Sequence, residues 1–198
     1  EAKMGLGADP AASQHKCSDA EIAVSKFIQD VGKLKKLRDL EASSSPTADE
    51  MIALKGWKMF FEANVIEDPK AQKLAEEIIN AEGNLLVKRG GMGLGYIHPK
   101  TGEKIAASTN ELSNMLISEK DEAMRKAAYD GLMSIGPFVL ANGFIDIIKK
   151  RNELGRLCGY EDYYDYKVQK AEGLSKKQLF ALLDDLEVKS RSANEKAI

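Results

Sequence analysis

The chain has 198 residues, 43% of them hydrophobic, and a formal net charge of −2 from 29 Lys and Arg against 31 Asp and Glu. The two signs are interspersed along the chain, so the charge gives no reason to expect nucleic acid or an anionic membrane surface as a partner. No run of about 18 apolar residues occurs, so we also expect no membrane insertion.

The first 17 residues are small and polar and lack an apolar period, so residues 1–17 are predicted to form a flexible lead-in. They show no secretory signal, and removal of a presequence stays open. We therefore expect a soluble protein of the cytoplasm or of an organellar lumen. The two cysteines, Cys17 and Cys158, are too few for a disulfide framework and are interpreted as free thiols.

Residues 18–83 are predicted to form a layer of three helices. A capping box at Ser18–Glu21, in which a hydroxyl and a carboxylate accept from backbone N–H groups, predicts the start of a first helix that runs to about Leu40. Ser43–Pro46 interrupts that helix. A second capping box, Thr47–Glu50, opens a segment that is apolar around most of its circumference, so this helix should lie in the core.

The third helix is predicted from the Asp68–Pro69 pair, because aspartate suits the N-cap and proline the first helical position, and it should end before Gly83. Residues 84–107 are then rich in glycine, and Pro99–Gly102 suits a turn, so a small β-hairpin is predicted near residues 94–107. The glycines do not match a nucleotide-binding loop, because Tyr96 stands where the third glycine of a dinucleotide fingerprint is needed.

Residues 108–198 are predicted to be helical again. A capping box at Ser108–Glu111 opens one helix, and another is expected to start near Ser118 and to end or kink at Gly136–Pro137. The helix after that should end at Gly159, which is typical of a C-cap.

A capping box at Ser175–Gln178 predicts the last helix, which has no stop signal, so we expect the natural protein to continue beyond it. Ten side chains on the apolar faces of these helices are expected to be buried. They are Trp57, Phe60, Phe61, Leu74, Ile78, Leu132, Ile148, Leu154, Leu182 and Leu186.

Several motifs follow one another from about residue 95 to the end. They are a Gly-Tyr hairpin, Ser-x-x-x-Leu at Ser108–Leu112, Arg-x-x-x-Tyr at Arg125–Tyr129, Arg-Asn-x-Leu-x-x-Leu-x-Gly-Tyr at Arg151–Tyr160, the tyrosines of 163–166 and the leucines of 179–186. Their order resembles that of the zinc peptidases of the thimet-oligopeptidase and oligoendopeptidase F family. Taken residue by residue, the motif positions still suggest structural roles: Tyr129 in packing, and Arg125 and Arg151 paired with carboxylates or covering apolar surface.

The resemblance implies a mostly α fold, namely the helical N-terminal lobe of a two-lobed oligopeptidase that forms one wall of a channel for short, unfolded peptides. It also implies a catalytic zinc held by His-Glu-x-x-His and a downstream glutamate. This chain has only His15 and His98, and neither has the required spacing, so we expect no catalytic or metal residue and no cofactor here. The zinc is expected in an absent C-terminal lobe.

The side chains expected to face the channel are those of Tyr160, Tyr163 and Tyr164, because tyrosine combines apolar area with a hydroxyl. Two functions stay open. The chain is either the non-catalytic portion of a zinc metalloendopeptidase, with a C-terminal catalytic lobe and short peptides as partners, or a catalytically inactive structural or binding subunit of a larger assembly.

Overall fold

The computed structural model describes residues 9–43 and 46–197. Of the described residues 78% are helical, and they contain one two-stranded antiparallel sheet, which confirms the predicted mostly α fold with a small hairpin. The elements in chain order are α1 (Pro10–Ile28), α2 (Val31–Ser43), α3 (Ala48–Asn64), α4 (Pro69–Gly90), β1 (Gly95–Ile97), β2 (Lys104–Ala106), α5 (Thr109–Ser118), α6 (Glu122–Met133), α7 (Ile135–Ala141), α8 (Phe144–Leu157), α9 (Tyr163–Glu172) and α10 (Lys176–Ala197).

The described residues divide into two compact units that are each discontinuous in sequence. Unit 1 consists of residues 9–20 and 78–148, and unit 2 consists of 21–43, 46–77 and 149–197. The predicted segments were consecutive instead, because a sequence pattern does not show which distant helices come together. In the described part of the chain no single helix has the length and apolar character to cross a membrane, although the bent pair Glu122–Ala141 and Phe144–Leu157 passes that test together.

The start of the chain differs from the prediction. The helix α1 begins at Pro10, where the Asp9 carboxylate accepts a hydrogen bond from the Ala12 N–H (3.0 Å), so residues 10–17 are helical and not a lead-in. Residues 1–8 lie outside the described residues. The capping box at Ser18 is also wrong, because Ser18 is buried in the middle of α1 and its hydroxyl accepts from the Gln14 side-chain amide (3.2 Å).

The helices α1 and α4 pack closely in unit 1 at a glycine. A Cβ on Gly83 would lie 2.2 Å from Nε2 of Gln14 and 2.9 Å from Oγ of Ser18, so only glycine fits there without movement. The predicted helix end at Gly83 is therefore wrong, and α4 continues to Gly90. The single helix predicted from Ser18 to Leu40 is likewise two helices, α1 and α2, separated at residues 29–30.

The hairpin of unit 1 has the predicted turn. Tyr96 pairs with Ile105 at its centre, and Gly102, in a left-handed conformation (φ 72°), donates its N–H to the His98 carbonyl (2.8 Å). The helix α6 lies against this hairpin, since a Cβ on Gly131 would come within 2.5 Å of the Gly95 carbonyl oxygen.

The helices after the hairpin begin and end at well-defined caps. The Ser108–Glu111 capping box is confirmed, and it places Leu112 in the core with 0% of its surface exposed. No helix starts near Ser118, where α5 ends; α6 starts instead after Asp121, whose carboxylate accepts from the Ala123 N–H (2.9 Å). The predicted interruption at Gly136–Pro137 lies at Ser134, and Pro137 occupies the first turn of α7, where its missing N–H costs nothing.

Unit 2 is built around a small apolar cluster of Leu34, Phe61 and Val65, which are 2%, 5% and 6% exposed. The Thr47–Glu50 capping box starts α3, and the Asp68 carboxylate accepts from the N–H groups of Lys70 (2.6 Å) and Ala71 (2.9 Å) at the start of α4. Both predicted helix starts are confirmed.

Of the ten side chains expected to be buried, six are buried or half-buried. Phe61, Leu74, Ile78 and Leu154 are buried, and Leu132 and Ile148 are half-buried. The prediction is wrong for the other four side chains, which are exposed. In α3 mainly Phe61 faces the unit 2 core, and α10 is exposed at every position from 181 to 189. The four exposed side chains are Trp57 (57%), Phe60 (40%), Leu182 (58%) and Leu186 (59%).

Candidate functional site

The predicted channel tyrosines lie at the corner between α8 and α9 in unit 2. The helix α8 ends in the paired hydrogen bonds of a Schellman motif, in which the N–H of Tyr160 donates to Gly155 O (3.0 Å) and that of Gly159 to Arg156 O (3.0 Å). Gly159 has φ 88°, a left-handed conformation that favours glycine, so the predicted C-cap is confirmed. The tight reversal directs the chain from α8 into α9.

The corner is closed by contacts on its inner side. A Cβ on Gly155 would lie 2.5 Å from the Asp162 carbonyl oxygen, so α8 and the start of α9 touch through their backbones. The Asn152 side-chain oxygen accepts from the Tyr163 N–H (3.3 Å), and the Arg151 guanidinium lies 5.4 Å from the centre of the Tyr163 ring. The motif residues Arg151, Asn152 and Gly159 thus have structural roles in building this corner.

Asp162 fixes the first turn of α9. Its carboxylate accepts from the Asp165 N–H (2.8 Å) and from the Lys176 ammonium (2.7 Å). The hydrogen bond from Lys176 is the main reason that the pKa of Asp162 lies below its ordinary value, and the Asp165 N–H lowers it further. The same pair raises the pKa of Lys176. These contacts also tie the start of α10 to α9, since Lys176 is the first residue of α10.

The structure separates the three predicted tyrosines. Tyr160 is half-buried and lines a groove, with its ring 5.3 Å from that of the buried Tyr166. The Tyr163 ring lies beside Tyr166 (6.0 Å), and the exposed Tyr164 ring faces Phe180 of α10 (6.1 Å). Tyr163 and Tyr164 are not among the groove residues. A contact between any of these tyrosines and a substrate stays a prediction.

The groove has a volume of about 470 Å³ and lies within unit 2. Its charged side chains are Arg38, Glu62, Glu67, Asp68 and Lys170, and its apolar and aromatic ones include Leu34, Val65, Ile66, Leu157, Tyr160 and Tyr166. Residues of α2, α3, α8 and α9 therefore meet around one cavity.

Four of the charged side chains of the groove are held in place by an ion pair or by hydrogen bonds to the backbone. The Arg38 guanidinium pairs with the Glu62 carboxylate (3.3 Å), and the Lys170 ammonium donates to the Glu62 backbone carbonyl (2.6 Å). Asp68 holds the start of α4 through two backbone N–H groups. The polar groups of the groove are thus largely preorganised by structural contacts.

The groove also contains three groups whose pKa is raised. Burial is the main cause for the Cys158 thiol, where Lys170 opposes the shift and Asp68 adds to it. Burial likewise raises the pKa of Tyr160, and it raises that of Tyr166 much further. All three groups are therefore held in their neutral, protonated forms. The free state of Cys17 and Cys158 agrees with the prediction.

Most residues of the groove carry no recognisable signal in the sequence. Arg38, Glu62 and Lys170 carried no signal of their own, and Cys158 has no local motif of a nucleophile. One signal could have been used, since Lys170 follows Tyr166 by four residues and therefore shares its face of α9.

The residues present do not fit a hydrolytic zinc site. His15 is exposed on α1, and His98 lies at the hairpin turn, where its Nδ1 accepts from the N–H groups of Lys100 (3.3 Å) and Thr101 (3.2 Å). Within residues 9–43 and 46–197, no three His, Cys, Asp or Glu side chains are grouped so as to hold a metal ion.

The remaining motif residues also have structural contacts. The Arg125 guanidinium donates to the backbone carbonyls of Glu119 (3.0 Å) and Lys120 (2.9 Å) just beyond α5. Of its two expected roles, pairing with a carboxylate is not found among the described residues. Tyr129 is 48% exposed, so its expected packing role is limited. Comparison of the chain with protein-family models, curated proteins and solved structures gave no match.

Proposed function

We propose that this chain is the non-catalytic, helical portion of a zinc-dependent oligopeptidase of the thimet-oligopeptidase and oligoendopeptidase F type, and that its unit 2 groove contacts short peptides. One observation carries the proposal. One of the motifs that carry the resemblance, Arg151–Tyr160, builds the α8–α9 corner, and that corner brings Tyr160 to the groove.

The groove has the character of a peptide contact surface. Its volume lies within the range of about 300–1,000 Å³ that small-molecule sites occupy. It offers the aromatic ring and hydroxyl of Tyr160 beside the cationic Arg38 and the carboxylate of Glu67. An unfolded peptide brings free N–H and C=O groups as well as apolar side chains, so a mixed polar and aromatic surface suits it.

The exposed apolar face of α10 supports contact with further polypeptide. Leu182, Leu183 and Leu186 are 58%, 44% and 59% exposed and lie on one side of the helix. Large exposed apolar patches on soluble domains usually mark protein contacts. In the proposed function this contact would be made with the zinc-bearing lobe, which would supply the hydrolytic chemistry.

The same face of α10 favours a second candidate function. In that alternative, the chain is a catalytically inactive subunit derived from an oligopeptidase, and α10 docks it into a larger assembly. The groove would then bind peptides or a partner segment without cleaving them.

Purification of the native protein separates these functions. An antibody against this chain is used to recover the protein from its source, and the mass and the peptidase activity of the recovered material are measured with a quenched fluorescent oligopeptide. A polypeptide several times larger than 21.7 kDa with phenanthroline-sensitive cleavage is the result expected for the oligopeptidase. A polypeptide of about 21.7 kDa recovered with other chains and without cleavage would support the subunit instead.

The groove is tested in the recovered full-length enzyme with two tyrosine variants. Tyr160→Ala removes a groove side chain, whereas Tyr164→Ala removes an exposed ring that contacts Phe180 outside the groove. We expect a higher KM for Tyr160→Ala and an unchanged KM for Tyr164→Ala. Equal effects of the two variants would contradict a peptide contact at Tyr160.

A further inference from the structure

A second cavity lies in unit 1, between the hairpin and α6, and the oligopeptidase proposal does not use it. Its volume is about 700 Å³. The apolar part of its lining comes from Met92, Ile97, Ala127 and Phe138, while Lys104 and Lys126 contribute two cations and Asp130 one carboxylate. A largely apolar cavity with a few charged groups at its border is typical of a binding site for an amphipathic small ligand.

One strand edge borders this cavity. The pairs His98–Glu103 and Leu94–Ala107 are hydrogen-bonded across the hairpin. In an antiparallel ladder every second pair is hydrogen-bonded, so the pair between them, Tyr96–Ile105, is hydrogen-bonded as well. The intervening residues Gly95 and Ile97 therefore direct their peptide groups to the outer edge of β1, and both residues line the cavity. At Gly95 this edge is covered by Gly131 of α6.

At Ile97 the outer edge of β1 borders the cavity. An extended peptide segment can add to a free strand edge by backbone hydrogen bonds, and its side chains then select for fit. Met92 and Phe138, two further apolar residues of the lining, would contact an apolar ligand side chain.

The charges of the cavity favour a single negative charge on the ligand. The Lys126 ammonium is paired with the Asp130 carboxylate (2.6 Å), so this pair is neutral as a whole. In the described part of the chain, the Lys104 ammonium forms no hydrogen bond or ion pair. It lies close to Gly93, where it would be 3.7 Å from an added Cβ atom. One uncompensated cation beside an apolar cavity balances a carboxylate in full, whereas a phosphate dianion would keep one negative charge unpaired beside the apolar lining.

We infer that this cavity binds the C-terminal end of a short peptide, with the peptide backbone on the Ile97 edge, an apolar last side chain in the cavity and the terminal carboxylate at Lys104. The inference does not depend on the oligopeptidase proposal, because it concerns unit 1 alone and needs no catalytic lobe. A peptide with a free carboxylate should therefore bind the chain whether or not its native form cleaves peptides.

The test measures fluorescence polarisation of a fluorescein-labelled pentapeptide that ends in leucine, as the free acid and as the C-terminal amide, with the complete 198-residue chain. We expect the acid to bind roughly two- to fivefold more tightly than the amide, which is the effect of one solvent-exposed charge pair. Lys104→Gln should reduce the affinity for the acid to that for the amide. Lys100→Gln is the matched control, since Lys100 is an exposed lysine at the turn of the same hairpin and outside the cavity.

A second variant tests the cavity itself. Ala127→Leu places a larger side chain in the lining and should weaken the binding of both acid and amide, with circular dichroism used to verify the fold. Equal binding of acid and amide, an unchanged affinity of Lys104→Gln, or no binding by either peptide would overturn the inference. Displacement of the peptide by decanoate with the same Lys104 dependence, and tighter than the peptide itself, would assign the cavity to fatty acids and would also overturn it.

Discussion

Phe60 and Phe61 are neighbours in sequence, and their rings are 5.5 Å apart, but their environments differ. Phe61 is 5% exposed within the unit 2 core, whereas Phe60 is 40% exposed. We expect Phe61→Ala to lower the free energy of unfolding by about 3–5 kcal/mol and Phe60→Ala to lower it by clearly less, because truncation of a fully buried ring also leaves a cavity. Urea denaturation measures both, and equal losses would place Phe60 in the core after all.

Cys158 allows a test of the groove through its pKa. Since burial raises that pKa, a smaller fraction of Cys158 is thiolate in the folded chain than in the unfolded chain at the same pH. The folded chain should therefore react more slowly with iodoacetamide. In a Cys17→Ser variant, the half-maximal rate should occur at a higher pH in buffer than in urea. Lys170→Gln should move it higher still, because the Lys170 ammonium favours the thiolate. A lower or equal value in buffer would contradict the burial of this thiol.

The same pKa shift has a defined sign for stability. The folded chain holds the Cys158 proton more tightly than the unfolded chain, so the contribution of this thiol is complete below the pKa of the unfolded thiol. It is lost as the pH rises through the higher pKa of the folded state. The Cys17→Ser chain should therefore lose stability in the alkaline range relative to a chain in which Cys158 is also replaced by Ala.

At the level of single elements, local signals predict the starts of α3, α4 and α5, but the capping box at Ser18 is wrong although an apolar period follows it. The true start of α1, at Asp9–Pro10, has the same residue pair as the start of α4 at Asp68–Pro69. The sequence does not predict a helix there, because the residues after Pro10 are mostly polar. Helix α1 instead buries the polar side chains of Gln14 and Ser18 against Gly83, and an apolar period does not detect such a face.

Two helical glycines with different surroundings, Gly83 and Gly56, should respond in opposite ways to replacement by alanine. Gly83→Ala should destabilise the chain by about 1–3 kcal/mol, because its Cβ would displace the buried Gln14 side chain. Gly56→Ala in α3 has no atom within 4 Å of its Cβ, so it should stabilise the chain by up to about 1 kcal/mol through helix propensity. Thermal unfolding of both variants measures this difference. Stabilisation by Gly83→Ala would show that α1 does not pack at this position.

At the level of the whole molecule, the sequence predicts the local structure around Tyr160 but not the groove that this residue lines. The tyrosine follows a C-cap glycine, which is a local pattern, and the Schellman motif follows from that pattern. Arg38 and Glu62 belong to α2 and α3, more than 90 residues before Tyr160 in the chain. Their proximity depends on how helices pack, and the side-chain periodicity of one helix does not specify its neighbour.

The number of ligands that hydrolytic zinc needs predicts how the isolated chain behaves. Such a site takes about three protein ligands and leaves one position for water. The chain has two histidines and two cysteines, and one ring nitrogen of His98 is already engaged by backbone N–H groups. Purified chain should therefore neither retain stoichiometric zinc in elemental analysis nor cleave a quenched fluorescent oligopeptide when zinc is added. Bound zinc at one equivalent together with phenanthroline-sensitive cleavage would place the catalytic centre in this chain and not in a separate lobe.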